Sequence, residues 1–360
     1  MKILVTGNLG YVGSVVVRHL RQKFPSSRIV GFDSGFFAHC LTNVRQLPEV
    51  ELDAQHYGDI REIPEEIVKG ADAVVQLAAI SNDPMGNRFE RVTDEVNHRS
   101  SRRLAQIARN AGVRNYVFAS SCSVYGTASC SPRREGDEVN PLTAYAKSKI
   151  ATEAALQQDE FGQMATTCLR FATACGMSDR LRLDLVLNDF VAAAITAGKI
   201  MVLSDGTPWR PLIAVKDMAR AIEWAAMRLP EVGGSFLTVN AGSDEWNYQV
   251  KDLAKSVADV IPGTEISING NAPPDKRSYR VDFSLYKSLA PEHTPQETLI
   301  GTITALRDGL REMNFNDADF RNSTYIRLKM LEYHMNTGRL TEELRWASRA
   351  GSEKSVNGVG

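Results

Sequence analysis

Short apolar runs of strand length recur through the first half of the chain, at residues 1–6, 28–32, 71–79, 116–120 and 166–171. Between them lie segments in which apolar residues return every three or four positions, which is the spacing of one helix face. Runs that are apolar throughout are typical of strands buried on both faces of a parallel sheet. The repeated order of strand and helix therefore predicts an α/β fold, a Rossmann-type doubly wound parallel sheet.

The alternation of strands and helices becomes irregular from residue 172 onward. Short apolar runs separated by turns predict a smaller C-terminal substrate-binding lobe, and residues 325–346 have the periodicity of one long helix. We expect a ligand cleft between the two parts, at the carboxyl ends of the parallel strands. The predicted divisions are a nucleotide-binding domain of residues 1–171 plus about 211–240, a substrate-binding lobe of about 172–210 and 241–320, a C-terminal helical segment at 321–348 and a disordered tail at 351–360.

A glycine turn joins the first apolar run to the first helical segment. Gly7, Gly10 and Gly13 are each three residues apart, and Asp33 ends the next apolar run, 20 residues after Gly13. Glycines let the backbone turn tightly and approach a pyrophosphate at the N-terminus of a helix, where free N–H groups favour an anion. An acid at this distance is typical of a ribose-binding residue. The pattern indicates a dinucleotide site, the alternative being an ordinary βαβ unit with a glycine-rich turn.

A tyrosine and a lysine share one face of the helix predicted at residues 144–161. Tyr145 and Lys149 are four positions apart, which brings their side chains together. A phenol has a pKa near 10, and a neighbouring ammonium group favours the phenolate. The pair can therefore exchange a proton with a substrate hydroxyl, although a solvated helix face would also explain it.

Length and composition are ordinary for a globular protein. The chain has 360 residues, of which 43% are hydrophobic and 24% charged, and its formal net charge is −1. This balance does not favour nucleic-acid or membrane binding, and no stretch has the roughly 18 apolar residues of a membrane span. Because the first strand begins at once, we expect no signal peptide and a cytoplasmic location. Five cysteines and six histidines are scattered, which predicts free thiols and no metal site.

Four motifs, in this order, resemble those of the extended short-chain dehydrogenases/reductases, in the nucleotide-sugar epimerase/dehydratase branch that includes UDP-glucose 4-epimerase. They are Thr6-Gly7-x-x-Gly10-x-x-Gly13, the strand end Leu77-Ala78-Ala79, Ser120-Ser121-Cys122-Ser123-Val124-Tyr125-Gly126 and Tyr145-x-x-x-Lys149. The resemblance covers roughly residues 1–290. It implies NAD as cofactor, a nucleotide sugar as substrate, and a homodimer formed through the helices at 92–111 and 144–161.

The resemblance also implies which residues contact NAD. They are Gly7, Gly10, Tyr11, Val12 and Gly13 for the pyrophosphate, Asp33 for the adenosine ribose, Asp59 and Ile60 for adenine, Leu77, Ala78 and Ala79 for the nicotinamide-side ribose, Asn97 in support of the site, and Tyr145 with Lys149, which holds a ribose. The charge of Asp33 would repel the 2′-phosphate of NADP. Two alternatives stay open, since Asp59 could cap the following helix and Asn97 could be a structural helix residue.

By the same resemblance, Tyr145 is the catalytic base, Lys149 lowers the pKa of the tyrosine, and Ser121 hydrogen-bonds the reacting sugar hydroxyl. Ser121 could also be a turn residue at a strand end. The implied substrate contacts are Thr173, Asn188, Arg210 and Arg277. A guanidinium fits a diphosphate bidentately, whereas an arginine in a loop is often only a solvated charge.

Two positions depart from the family pattern. Sugar 4,6-dehydratases follow the catalytic residue with Asp-Glu, where this chain has Cys122 and Ser123, and Thr173 replaces a substrate-binding asparagine. Cys122 is more simply explained as a packed side chain than as a nucleophile. The aromatic loop Phe36-Phe37 and His39 has no role in the resemblance.

The expected function is an NAD-dependent epimerase that acts on a nucleotide-activated sugar through a transient keto intermediate. A ketoreductase, a dehydrogenase or a dehydratase with the same Ser-Tyr-Lys site is the alternative. A third alternative is a non-catalytic NAD-binding regulator. The presence of Ser121, Tyr145 and Lys149 together argues against it, because a protein without catalytic activity need not retain all three.

Overall fold

Residues 1–42, 44–127, 131–159, 161–272 and 278–347 are described by the structure, a computed structural model. Its strands are β1 (Lys2–Thr6), β2 (Arg28–Asp33), β3 (Ala54–Tyr57), β4 (Ala73–Gln76), β5 (Asn115–Ser121), β6 (Ala165–Phe171), β7 (Thr173–Cys175), β8 (Lys199–Val202), β9 (Trp209–Ala214), β10 (Phe236–Ala241), β11 (Asn247–Gln249) and β12 (Glu265–Ile268). Its α-helices are α1 (Tyr11–Lys23), α2 (Glu65–Val68), α3 (Asp83–Arg88), α4 (Glu90–Thr93), α5 (Ser100–Asn110), α6 (Ala144–Gln158), α7 (Val186–Ala197), α8 (Val215–Met227), α9 (Val250–Val260), α10 (Ser284–Leu289), α11 (Leu299–Glu312) and α12 (Arg327–Asn336).

Seven strands form one sheet in the order β3-β2-β1-β4-β5-β6-β10. All six pairings in this sheet are parallel. The chain winds outward from β1 to β3 in one direction and from β4 to β6 in the other, so the strand order reverses between β1 and β4. The predicted doubly wound fold is thus confirmed, and the reversal leaves a crevice at the carboxyl ends of β1 and β4, where ligands bind in such sheets.

Helices cover both faces of the sheet because the strands are apolar on both sides. On β1, Ile3 and Val5 pack with Leu20 of α1 in one cluster, whereas Leu4 packs with Leu104 of α5 in another. This alternation follows from the two-residue period of a strand. It explains the continuous apolar runs in the sequence.

The remaining strands form two small sheets, β11-β9-β7 and β12-β8. Helices α7, α9 and α11 pack together in a separate apolar cluster with these strands. The division of the chain into a cofactor domain and a substrate lobe stays a prediction, as does the homodimer. Helices α5 and α6, which the dimer would use, lie side by side, and Arg102 pairs with Asp159 at 2.7 Å.

Two predicted helices differ from the observed ones. The segment at 325–346 is helical only over Arg327–Asn336 and then turns through Gly338, at φ +67°, to a bridge between Leu340 and Trp346. Glycine in this conformation commonly ends a helix, and the apolar periodicity beyond it comes from the turn packing back. The helix predicted at 92–111 contains a π-helical turn at Asp94–Arg99. The predicted tail at 351–360 lies outside the described residues.

Candidate cofactor and active site

A cavity lies at the carboxyl ends of β1, β2, β3 and β4. Eleven of the residues predicted to contact NAD line it, namely Gly7, Gly10, Tyr11, Val12, Gly13, Asp33, Asp59, Ile60, Leu77, Ala78 and Ala79. They come from four strand ends separated by up to 70 positions in the sequence. The fold therefore brings residues from separate sequence motifs into one cavity.

The glycine turn forms the floor of this cavity. Gly7 has φ +74°, and a Cβ atom there would lie 2.6 Å from the backbone nitrogen of Ala78. A Cβ on Gly13 would overlap the carbonyl oxygen of Gly7. Gly10 precedes α1 and offers no capping side chain, so the first N–H groups of the helix are available to an anion.

Asp33 ends β2 at the cavity wall. Its Oδ2 accepts a hydrogen bond from the Leu9 backbone N–H at 3.0 Å, and Oδ1 accepts one from Gly35 at 2.7 Å. Desolvation raises the pKa of Asp33 despite these two bonds. A carboxylate has about four acceptor positions, so two remain for hydroxyl donors such as those of a ribose.

Asp59 both lines the cavity and caps a turn. Its carboxylate accepts from the Arg61 backbone N–H at 2.9 Å and from the Arg61 guanidinium at 2.5 Å. The capping role that the sequence left open is therefore present. Arg61 also reaches Glu95 at 3.3 Å, which makes it a paired cation.

Ser121, Tyr145 and Lys149 lie together next to this cavity without lining it. Thr143 caps α6 by accepting from the Ala146 N–H at 3.2 Å, which fixes the start of the helix that carries Tyr145. The Lys149 ammonium lies 5.4 Å from the centre of the Tyr145 ring and donates to the Ala119 carbonyl at 2.6 Å.

Removal from water is the largest influence on the pKa values of Tyr145 and Lys149. Desolvation raises the pKa of Tyr145 to about 12, although a hydrogen bond with Ser121 acts to lower it. Burial lowers the pKa of Lys149 to about 8, against the carboxylate of Glu153, which raises it. In the chain alone the phenol is therefore protonated at neutral pH, and lowering its pKa requires further positive charge.

Asn97 lies on the π-helical turn and does not line the cavity. Its amide is fully buried, accepts from the Ile80 N–H at 2.8 Å, and donates to the Ile80 carbonyl at 3.0 Å and to the Ser148 hydroxyl at 3.1 Å. Ile80 in turn lines the cavity. Asn97 thus holds the segment after β4 against α6.

The predicted substrate residues Thr173, Asn188 and Arg210 come from β7, α7 and β9. Asn188 is fully buried and its Oδ1 accepts from the Gly176 N–H at 2.9 Å. Arg210, on β9, donates to the Trp209 carbonyl at 2.9 Å, and Thr173 begins β7. Arg277 lies outside the described residues. None of the three described residues lines the cavity, so their contact with a substrate stays a prediction.

Besides Arg61, two arginines that the sequence did not single out line the cavity. Arg182 pairs with Asp184 at 2.8 Å and donates to the Ser81 hydroxyl at 3.1 Å. Its charge also acts to lower the pKa of Tyr145. Arg327, from α12, lines the cavity together with Phe37. No motif marks either arginine, since isolated arginines are common.

Other classes of site are not formed by the described residues. No three of their His, Cys, Asp and Glu side chains could hold a metal ion. None of their helices is long and apolar enough to cross a membrane. The free thiols among them are buried at Cys40, Cys122, Cys168 and Cys175, while Cys130 lies outside the described part of the chain.

A family model described as the NAD dependent epimerase/dehydratase family matches residues 3–242. The chain belongs to this family. The family resemblance and the expected cofactor, NAD, are thereby confirmed, and the protein is an enzyme of this class. The match includes the whole seven-stranded sheet and stops before the C-terminal segment.

Individual members of the family show what this chain resembles. It is 27% identical over 333 residues to the UDP-glucose 4-epimerase of Corynebacterium glutamicum, covering 86% of this chain and 97% of that one. It is also 27% identical over 302 residues to UDP-glucuronic acid decarboxylase 6 of Arabidopsis thaliana, covering 80% and 83%. A solved UDP-glucose 4-epimerase of Stenotrophomonas maltophila, with bound NAD and formylated UDP-arabinopyranose, superimposes with a TM-score of 0.75 at 22% identity, over 87% of this chain and 99% of that one.

The cavity of this chain fits the family's cofactor. A Cβ atom at Gly7 would overlap the backbone of Ala78, and one at Gly13 would overlap the backbone of the turn itself, so the turn needs glycine at both positions. The carboxylate of Asp33 has two acceptor positions left for hydroxyl donors. One guanidinium nitrogen of Arg327 is buried without a hydrogen-bond partner among the described residues. A dinucleotide offers ribose hydroxyls to Asp33 and a diphosphate to Arg327.

Proposed function

We propose that this protein is an epimerase of a nucleotide-activated sugar, with Tyr145 as the acid and base. The observation that carries the proposal is the group formed by Ser121, Tyr145 and Lys149, in which Tyr145 packs against Gly86, next to the cavity-lining Met85. A phenol that is hydrogen-bonded to a hydroxyl and has an ammonium 5.4 Å from its ring centre can hold a sugar hydroxyl and move its proton. This arrangement supports oxidation of that hydroxyl to a ketone and its return.

Each residue has a separate part in this chemistry. The glycine turn and Asp33 would hold NAD, which would supply a hydride acceptor for the sugar carbon and a donor for its return. Tyr145 takes the hydroxyl proton and Ser121 holds the sugar oxygen. Lys149 places an ammonium 5.4 Å from the centre of the Tyr145 ring, while the charge of Arg182 acts to lower the pKa of the phenol. Desolvation raises the pKa of Tyr145 to about 12 in the chain alone. Proton transfer at neutral pH therefore requires additional positive charge near the phenol, which an oxidised nicotinamide would supply if bound there.

The residues after Ser121 favour epimerisation over 4,6-dehydration. Cys122 is fully buried, and its thiol donates to the Arg170 carbonyl at 3.1 Å. Burial raises the pKa of Cys122 far above that of an ordinary thiol, so it stays protonated and cannot act as the acid–base pair that expels water. A ketoreductase with exchanging NAD(H) would use the same three residues and is the second candidate.

Replacement of Tyr145 by phenylalanine tests the assignment. We expect kcat to fall by about 10²–10⁴-fold, with nucleotide-sugar binding nearly unchanged, because only the proton-transferring oxygen is lost. Tyr286→Phe is a matched control, since Tyr286 is a buried phenol that hydrogen-bonds the His293 carbonyl outside the cavity. Turnover by Tyr145→Phe at the wild-type rate would refute the role of the phenol.

The reaction type can be separated by product mass. UDP-, GDP-, CDP- and dTDP-sugars would be incubated with the enzyme in deuterated water. An epimerase gives an isomer of unchanged mass, and a dehydratase gives loss of water. A ketoreductase running in the oxidative direction gives a keto sugar that lacks two hydrogens, and only when NAD is supplied as the oxidant. NAD released on denaturing the purified protein would support the epimerase, whereas a ketoreductase releases its cofactor each turnover.

A further inference from the structure

The segment after α11 closes the outer side of the cofactor cavity. We name residues 327–347 the C-terminal cover. The indole N–H of Trp346 donates to the Ser34 carbonyl at 2.6 Å, and its ring lies 5.5 Å from that of Phe36. Ser34 and Phe36 belong to the aromatic loop that follows β2, and both line the cavity.

A second contact ties the cover to the strand end that carries Asp59. The guanidinium of Arg61 donates to the Glu343 carbonyl at 3.0 Å and to the Leu344 carbonyl at 3.2 Å. The Leu344 side chain lines the cavity. One arginine thus joins the wall of the cavity to a segment more than 280 residues away in the sequence.

Arg327 is the buried cation of the cover. It is 1% exposed and lines the cavity, and its guanidinium lies 4.8 Å from the centre of the Phe37 ring. Its Nη2 donates to the Arg180 carbonyl at 2.7 Å. Its Nη1 is buried and has no hydrogen-bond partner among the described residues. Burial lowers the pKa of Arg327 to about 10, so the group is charged at neutral pH.

The three arginines of the cavity differ in their pairing. Arg61 pairs with Asp59, and Arg182 pairs with Asp184. No carboxylate of the described residues forms an ion pair with Arg327. A buried cation with an unused donor is unfavourable unless a ligand supplies the negative charge. The N-terminus of α1 opens into the same cavity and also favours an anion.

We propose that Arg327 binds the diphosphate of the dinucleotide cofactor, so that the C-terminal cover forms the outer wall of the cofactor site. The inference rests on the proposed NAD site and adds a ligand residue from beyond the region that the family model matches. The substrate's diphosphate is the other source of the same chemistry. The cofactor is favoured because Arg327 shares its cavity with Gly10, Tyr11 and Asp33, whereas Asn188 and Arg210 lie outside it.

The test compares Arg327→Met with the wild-type full-length chain after bound nucleotide has been removed. Titration calorimetry would measure the Kd of NAD and of uridine diphosphate separately. We expect the Kd of NAD to rise by at least about tenfold and the Kd of uridine diphosphate to stay within about twofold. Thermal unfolding without nucleotide should be unchanged or shifted upward, because the variant loses an unpaired buried charge.

Two further variants keep the test decisive. Arg327→Lys retains the charge but not the planar donor pair, so its Kd for NAD should lie between those of wild type and Arg327→Met. Arg339→Met is the matched control, since Arg339 lies in the same segment, exposed, and does not line the cavity. It should bind NAD as the wild type does.

Other outcomes overturn the proposal in distinguishable ways. Loss of thermal stability in Arg327→Met with an unchanged Kd for NAD would make Arg327 a structural residue. Weakened binding of uridine diphosphate alone would assign it to the substrate. In both cases the proposed function stands, whereas failure of the wild-type chain to bind NAD would remove both.

Discussion

The two walls of the cofactor cavity are built in different ways. The inner wall consists of the glycine turn and the ends of β1 to β4, and it meets a ligand largely through backbone groups. The outer wall is the C-terminal cover, which presents the side chains of Arg327 and Leu344. Backbone groups hold their places because the sheet fixes them, whereas the cover is held by a few long-range contacts, such as Trp346 to Ser34 and Arg61 to the Leu344 carbonyl. We therefore expect substitutions in the inner wall to be tolerated poorly, and substitutions in the outer wall to change the rate at which the cofactor dissociates.

The largest difference should appear between two glycines with the same backbone conformation. Gly7 and Gly338 have φ of +74° and +67°, but only Gly7 has atoms within 4 Å of its missing Cβ. Alanine at Gly7 should lower the free energy of unfolding by about 2–5 kcal/mol, from strain and overlap together, and abolish NAD binding. Denaturant unfolding and calorimetry would measure both effects.

Gly338→Ala serves as the control for backbone strain alone. It should lower the free energy of unfolding by about 1 kcal/mol and leave NAD binding close to normal. Equal losses of stability in the two variants would contradict the idea that contact with Ala78, rather than φ, makes the inner wall intolerant.

Lys149 is a buried cation next to the inner wall, and it makes the stability of the protein depend on pH. Burial lowers the pKa of Lys149 from the ordinary 10.5 to about 8, so the unfolded chain binds more protons than the folded one between these values. Stability from this group therefore rises with pH across that window. Relative to Lys149→Met, the wild-type free energy of unfolding should increase by up to about 3 kcal/mol between pH 7 and pH 10.

Urea unfolding of both proteins at several pH values checks this expectation, since other titrating groups cancel in the difference. A difference that stays flat, or that falls with rising pH, would show that Lys149 titrates normally in the folded chain. The same comparison with Arg327→Met should be flat below about pH 9, because the pKa of Arg327, although burial lowers it to about 10, lies above that range.

The smallest effect is expected at Trp346, whose hydrogen bond to Ser34 holds the C-terminal cover against the aromatic loop. Trp346→Phe keeps an aromatic ring beside Phe36 but loses the hydrogen bond to Ser34. A single bond of this kind contributes about 1 kcal/mol, so NAD should dissociate about fivefold faster while kcat stays the same. Stopped-flow displacement of NAD would give the rate, and an unchanged rate would mean that the cover does not hold the cofactor.

The contrast between the walls also explains what the sequence could reveal. The sheet and the inner wall follow from local patterns, since Gly7, Gly13 and Asp33 lie within one βαβ unit whose geometry is set by neighbouring residues. Apolar strand runs and the spacing of Tyr145 and Lys149 are local in the same sense. The family expectation and the doubly wound fold were accordingly predictable.

The outer wall depends on contacts between residues far apart. Arg327 meets Phe37 across 290 positions, and no periodicity in the sequence relates the two. The predicted helix at 325–346 failed for a similar reason, because the residues after Gly338 pack back on the aromatic loop instead of extending the helix. Arg182 was missed because its pairing with Asp184 has no distinctive spacing.

The π-helical turn at Asp94–Arg99 has a consequence for how this chain aligns with others. A π turn holds one residue more than the α-helical turn it replaces, so it amounts to a single-residue insertion inside a helix. Removing that residue would restore regular α-helical bonding and rotate one end of the helix by about 100° against the other. Asn97 would then move away from Ile80. In an alignment, a related chain with a one-residue gap in this helix would therefore have to hold the segment after β4 by some other contact.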